Sequence, residues 1–367
     1  MNTGGLLNKR MLLIWLAVFT FAFFSPVHAA EDVLSISAVG DIMMGTTFPE
    51  AVLPPNDGAG MFDCVKENLG NSDIVFGNLE GPLIDNGKSE KCRKNSRMCF
   101  AFSTPTRYAQ YLKEAGFNVL NIANNHSFDF GAEGMRSTIE ALDSISIRSV
   151  GGSRIGNLDI KGKKVKVVGF SFSTSSPYSV NDIAAAKQIV GNLKASGDIV
   201  IVSFHGGAEG KAALKTPNEN EIFAGENRGN MIAFSHAMID SGADLVLGHG
   251  PHVLRAMEVY KKKLIVYSLG NFLTYGRFNI AEENGISIIL KANINLDTGN
   301  FSDGRLIPIR LINRGIPQPD AENSAVKLIQ ELTAKDIGGG ELIMTADGGI
   351  ENNPHDASDK RALNKHE

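Results

Sequence analysis

A layered α/β fold is predicted by two features of this sequence. Short β-branched or leucine-rich runs alternate with helical stretches between residues 33 and 317, the pattern of strands connected through helices. Five of the runs are followed by a carboxylate, an amide or an imidazole. Open α/β sheets bind ligands at the carboxyl ends of their strands, so these positions can converge on one site.

Residues 33–39 (VLSISAV) alternate apolar and polar positions and stop at Gly40, as a half-buried strand does. Residues 73–78 (DIVFGN) are a short apolar strand. A helical pattern over 108–115 precedes a strand at 117–122, and another helix is expected over 135–142. The runs at 165–170, 199–204, 245–247 and 264–267 are further strands, with helices around 182–195 and 229–240. Runs 286–296 and 306–312 lack an intervening helix, so they are expected to pair antiparallel at one edge of the sheets. No internal repeat is present. A domain over 33–317 is followed by an amphipathic helix at 325–333 and, from Gly338, a polar Gly-rich tail whose composition predicts disorder.

The N-terminus is of another kind. Lys9-Arg10 precede an apolar run from Met11 to Phe24, and Val27 and Ala29 are small residues at a cleavage spacing. This is the plan of a secretory signal peptide over residues 1–29, cut near Ala29 and leaving a periplasmic or extracellular protein; an uncleaved membrane anchor is the competing reading. Cleavage removes Lys9 and Arg10, leaving 34 basic against 40 acidic residues, a formal charge of −6. Nucleic-acid binders carry a basic excess instead, so no nucleic-acid partner is expected. Hydrophobic content of 43% and charged content of 21% describe a folded globular chain. Export permits disulfides. Cys92 and Cys99 flank a short polar loop and can pair, leaving Cys64 free and buried; three unpaired thiols are the alternative.

The polar residues after the strands are Asp41 (VGDIMMG), Glu80 (GNLEGP), Asn125 and His126 (ANNHSFDFG), His205 (SFHGG), and His249 with His252 (GHGPH). Singly each is weak, since an Asp after a strand is commonly a turn or cap residue. As a set at equivalent positions they are hard to explain structurally. Carboxylate, amide and imidazole without thiolate suit Mn²⁺, Fe or Zn²⁺. Glu80 has the chemistry of a carboxylate bridging two ions in a hydrolytic site. If Asn125 ligates, His126 is placed to give a proton to a leaving group. Asp129 either orients that imidazole or caps the following helix.

The segments AVGDIMMG, GNLEGPL, LKEAGFNVLNIANNHSFDFGAEGMRSTIEAL, FHGGAE, GADLVLGHGPHVL and YSLGNF stand in this order between residues 34 and 275. In this the chain resembles the CapA-type poly-γ-glutamate capsule synthesis family, whose domain is similar to calcineurin-like metallophosphatases. The resemblance implies a metallophosphatase-like four-layer α/β/β/α sandwich with its site at one end. It implies metal ligation by Asp41, Glu80, Asn125, His205, His249 and His252, with His126 catalytic. It also implies an anionic polymer or phosphoester substrate and membrane-bound capsule synthesis partners. There are departures. Met43 stands where metallophosphatases have a histidine, the closing histidines are one residue further apart, Gly206 replaces an aromatic, and Arg255 replaces an amide. One divalent ion, two, or none is therefore compatible with the pattern. Asn271 in YSLGNF either enters the site with Arg255 as a substrate contact or merely closes a turn. The basic loop 88–97 is either a polymer contact or a solvated charge run. Two function classes stay open: a metal-dependent hydrolase, and a noncatalytic envelope component that handles capsule polymer with a vestigial site.

Overall fold

The computed structural model describes Met1 and residues 32–353, apart from Glu90, residues 92–99 and Gly339. The expected signal peptide and the expected Cys92–Cys99 pairing fall outside the described residues. From Asp32 onward the chain forms one unit.

A first series comprises β1 (Val33–Met43), α1 (Lys66–Leu69), β2 (Ile74–Leu79), α2 (Ala109–Glu114), β3 (Val119–Asn121), α3 (Gly131–Ser144) and β4 (Arg148–Val150). The second comprises β5 (Ile155–Ile160), β6 (Lys163–Ser171), α4 (Ile183–Lys194), β7 (Ile199–His205), the hairpin β8 (Glu221–Phe223) and β9 (Glu226–Gly229), α5 (Met231–Asp240), β10 (Leu245–His249), β11 (Met257–Tyr260) and β12 (Lys263–Val266). Then come β13 (Asn271–Thr274), β14 (Ile286–Asn295), β15 (Phe301–Ile312), β16 (Ile316–Pro319), α6 (Ser324–Asp336), β17 (Leu342–Met344) and β18 (Gly349–Asn352).

In the first sheet β1, β2, β3 and β4 run parallel, while β14 joins β1 antiparallel and β15, β18 and β17 extend the sheet beyond it. In the second, the order is β11-β12-β10-β7-β6-β5, with β6, β7, β10 and β12 parallel. Neighbouring residues of a strand point to opposite faces, and that alternation makes the layers. Phe76, Val167, Ile201 and Leu247 fill the core between the sheets. Val75 packs with Leu112 and Leu142 of α2 and α3 on the outer face of the first sheet. Val168, Val202 and Val246 pack with Val190, Phe234 and Met238 of α4 and α5 on the outer face of the second. The result is the four-layer α/β/β/α sandwich. Side-chain caps start two of these helices: Asp182 accepts from Ala185 N at 3.0 Å and Asn230 from Ala233 N at 3.0 Å.

Three expectations are corrected. β14 and β15 pair antiparallel, but β14 lies inside the first sheet because it also pairs with β1. Part of the tail expected to be disordered is instead structured: β17 and β18 form there, and β18 pairs with β15 and buries Ile350 to 2% exposure. Cys64 is free but exposed.

Candidate metal centre

Close backbone contact assembles the site. A Cβ on Gly40 would stand 1.9 Å from the Gly270 carbonyl, so only glycine lets VGD pass SLGN. Asp41 N–H then donates to Gly270 O at 2.9 Å, and Glu80 N–H to Ile42 O at 2.8 Å. Asp41 lies on β1, Glu80 follows β2, and Asn125 and His126 sit in the turn between β3 and α3. His205 closes β7. His252, behind Pro251, adopts a left-handed φ of 58°, an uncommon conformation for a side-chain-bearing residue.

One ligand atom each from Asp41, Glu80 and His205 lies within 4.8 Å of the others, and all three residues are buried. Glu80 Oε1 is 3.6 Å from His252 Nε2 and 3.9 Å from both His205 Nε2 and His126 Nε2. His252 Nδ1 is 2.9 Å from Asp41 Oδ2. Both Glu80 oxygens, Asn125 Oδ1, His205 Nε2 and Asn271 Oδ1 are buried without a hydrogen-bond partner among the described residues. Buried polar atoms are ordinarily paired, so these orphaned acceptors call for a cation.

His126 is held by Asp129, whose Oδ2 lies 2.8 Å from Nδ1. The same oxygen accepts from Phe102 N at 2.8 Å, and Oδ1 is bonded by Lys91 Nζ. Lys91 Nζ also donates to Asn125 O at 2.9 Å. Asp129 caps no helix, because α3 starts after Phe130 without a side-chain cap. Phe102 packs its ring 4.5 Å from that of His126.

Two expected site residues are turned elsewhere. His249 lies 3.2 Å from Val39 O through Nε2 and 3.4 Å from Ser203 Oγ through Nδ1, so neither nitrogen is free for an ion. Arg255 is wholly buried, gives four of its five N–H donors to Glu221 and two carbonyls, and does not line the cleft. Asn271 opens β13, donates to Asn284 O at 3.1 Å and leaves Oδ1 free. Met43 is buried and offers only a thioether. The residue that sequence reasoning missed is Asn78. Its Nδ2 donates to Asp41 Oδ1 at 2.8 Å and lies 3.3 Å from His205 Nδ1, while Oδ1 accepts from Asn121 and Asn124 at 2.9 and 3.2 Å. An amide inside the apolar run IVFGNL was the available signal.

Electrostatics agree with the geometry. Burial would raise the Asp41 carboxyl, but the hydrogen bond and charge of His252, with His205 and His249 nearby, hold it at about 2. Burial pushes Glu80 well above the usual carboxylate range, opposed by His252 and reinforced by Asp41. Burial likewise pushes His205 well below its ordinary value, which keeps a neutral imidazole fit for ligation. His252 resists burial and rises to about 10 because Glu80 and Asp41 face it. Two adjoining buried carboxylates thus draw positive charge, and the donor set present fits a divalent ion.

The site opens on a cleft of about 1130 Å³ lined by Asn125, His126, His252 and Asn271. Lys88, Lys91, Lys211, Arg228 and Arg277 also line it, with Asp129, Glu133, Glu209 and Glu226.

The model of the bacterial capsule synthesis protein family PGA_cap matches residues 35–275. The chain belongs to that family. It is 34% identical over 264 residues to "Capsule biosynthesis protein CapA" of Bacillus anthracis, covering 68% of this chain and 62% of that protein's length. It is 31% identical over 329 residues to "PGA biosynthesis protein CapA" of Bacillus subtilis, covering 83% and 79%. Among solved structures, a putative 5'-nucleotidase from Staphylococcus aureus in complex with alpha-ketoglutarate is similar, with a TM-score of 0.45 and 15% identity over 82% of this chain and 58% of that one. In this PGA_cap chain, Asp41, Glu80, Asn125, His126, His205, His249, His252 and Asn271 all fall inside the family match.

Proposed function

We propose that this PGA_cap protein is an exported, metal-dependent hydrolase that cuts an amide or phosphoester linkage in an anionic polymer during capsule synthesis. One observation carries the reading: a buried Glu80 with both oxygens unpaired faces His126, whose far nitrogen is pinned by Asp129. Asp41, Glu80, Asn125, His205 and His252 would hold the ion. Bound there, a divalent ion supplies Lewis acidity and an activated water. His126 moves the proton. Asp129 fixes Nδ1, which leaves Nε2 to exchange a proton with the leaving oxygen or nitrogen. Burial lowers the affinity of His126 for that proton, against the pull of Asp129. Lys88 and Arg277, the cleft's basic groups without a carboxylate partner among the described residues, would meet the polymer's charge, and membrane-bound synthesis partners would deliver it.

The decisive experiment assays a generic phosphodiester and poly-γ-glutamate with added Mn²⁺, beside capsule complementation. General acid–base groups contribute about 10²–10⁴-fold, so His126→Ala lowers turnover by that much while Mn²⁺ binding survives. Wild-type behaviour of His126→Ala in every assay sinks the enzyme reading. The noncatalytic reading draws on Met43 and on the engaged His249; it predicts no turnover in wild type. Export is tested separately. The mature protein should begin near residue 30 by N-terminal sequencing, and an intact Met1 on membrane-bound protein rejects cleavage.

A further inference from the structure

Arg255 has no solvent exposure and does not line the cleft. Nε donates to Ala213 O at 2.8 Å. Nη1 donates to Glu221 Oε1 at 2.8 Å, and Nη2 to Glu221 Oε2 at 2.7 Å and Ala208 O at 3.2 Å. Glu221 Oε2 accepts the Ala208 N–H as well, at 3.0 Å. These groups come from three segments: the stretch leaving His205, the first residue of β8, and the stretch leaving His252, on which Arg255 stands. Gly207 accommodates the fork. Its φ is +88°, and a Cβ there would come 2.9 Å from Nη1. A backbone bond from Gly210 N to Pro251 O at 2.8 Å ties the first and last segments directly.

A buried ion pair adds little net stability, because desolvation offsets the attraction. What it supplies is geometry. A planar guanidinium with donors in a fixed fork can bind a carboxylate and two carbonyls at set angles, whereas a lysine ammonium is a single point charge. The segments so joined carry the two imidazoles whose Nε2 atoms stand 3.9 and 3.6 Å from Glu80 Oε1.

We infer that the Arg255–Glu221 pair is a positioning device for the metal centre, locking the loops behind His205 and His252 so that both rings meet Glu80. This rests on the metal-site reading above. Neither residue touches substrate or ion.

Two variants of the full chain test it. Arg255→Lys keeps the charge and loses the fork. The double variant Arg255→Leu/Glu221→Leu removes both charges and strands neither. Mn²⁺ affinity is measured by calorimetry, and backbone hydrogen exchange is followed at 205–213 and 249–254 against strand β6. Residues that orient metal ligands typically contribute about 10–100-fold in affinity. Both variants are therefore expected to keep wild-type circular dichroism, bind Mn²⁺ at least about 10-fold more weakly, and exchange faster at those two segments only. A folded Arg255→Lys with wild-type affinity and wild-type exchange overturns the inference. So does an Arg255→Lys that does not fold, since the pair would then serve the fold as a whole. If wild type itself binds no Mn²⁺, the metal reading fails, and exchange alone judges the positioning role: unchanged rates at 205–213 and 249–254 overturn it.

Discussion

Asn78 shows how much of the centre is held by groups that bind nothing themselves. Its amide joins Asp41 to His205 and is in turn fixed by Asn121 and Asn124. Replacing Asn78 by Ala leaves both ligands in place but unoriented. The expected result is an Mn²⁺ affinity lower by about 10–100-fold with little loss of helix or sheet signal; calorimetry on the folded variant checks it, and an unchanged affinity refutes the orienting role. Which residue types end the strands was readable in advance, because a polar side chain after an apolar run stands out. Which way each side chain turns was not. His249 and His252 are alike in sequence, yet Val39 O engages one ring and Asp41 the other. Arg255 looks like a substrate contact until Glu221, 34 residues away, is seen to take two of its donors.

Among the elements, apolar runs were legible even where the strand is short, as at β3 and β12, whereas short polar strands were not. β6 and β7 announce themselves by runs rich in β-branched residues, since strands buried on both faces carry little polar alternation. The three-residue strands β4 and β17 leave too few positions to show a period. The C-terminal hairpin illustrates the consequence. Its composition is that of a disordered tail, yet Ile350 joins the core beside Val326 and Ile329 of α6. The Gly-rich turn is functional there: Gly348 has φ +90°, and a Cβ would meet Leu306 O at 2.4 Å. Removing a buried isoleucine side chain beyond its Cβ typically costs about 2–5 kcal/mol. Ile350→Ala is therefore expected to lose about 2–4 kcal/mol in urea unfolding, the lower part of that range because the hairpin can close partly on the space. A loss under about 0.5 kcal/mol, ordinary for a surface position, would mean that the hairpin contributes no core.

In the whole molecule the candidate ligands are divided between the two sheets. Asp41, Glu80 and Asn125 belong to β1, β2 and the turn after β3; His205 and His252 belong to β7 and the loop after β10. An ion held by both groups links the layers across one end of the sandwich, so its binding free energy opposes global unfolding and is not confined to a loop. A ligand at about 100 times its Kd adds about 2.7 kcal/mol to the native state. For a domain of about 320 residues, with an unfolding entropy of about 2.1 cal/mol/K per residue, that corresponds to a rise in Tm of about 4 °C. Chelated protein titrated with Mn²⁺ should show that rise in calorimetry, and chelator should reverse it. Glu80→Ala should start from a melting temperature near or above that of chelated wild type, because a buried, unpaired carboxyl has been removed, and should then fail to respond to Mn²⁺. His126→Ala should respond as wild type does, since its imidazole donates no ligand in the proposed arrangement. A wild-type Tm indifferent to both Mn²⁺ and chelator would mean that the two halves of the set hold no ion in common, and the hydrolase reading would lose its basis.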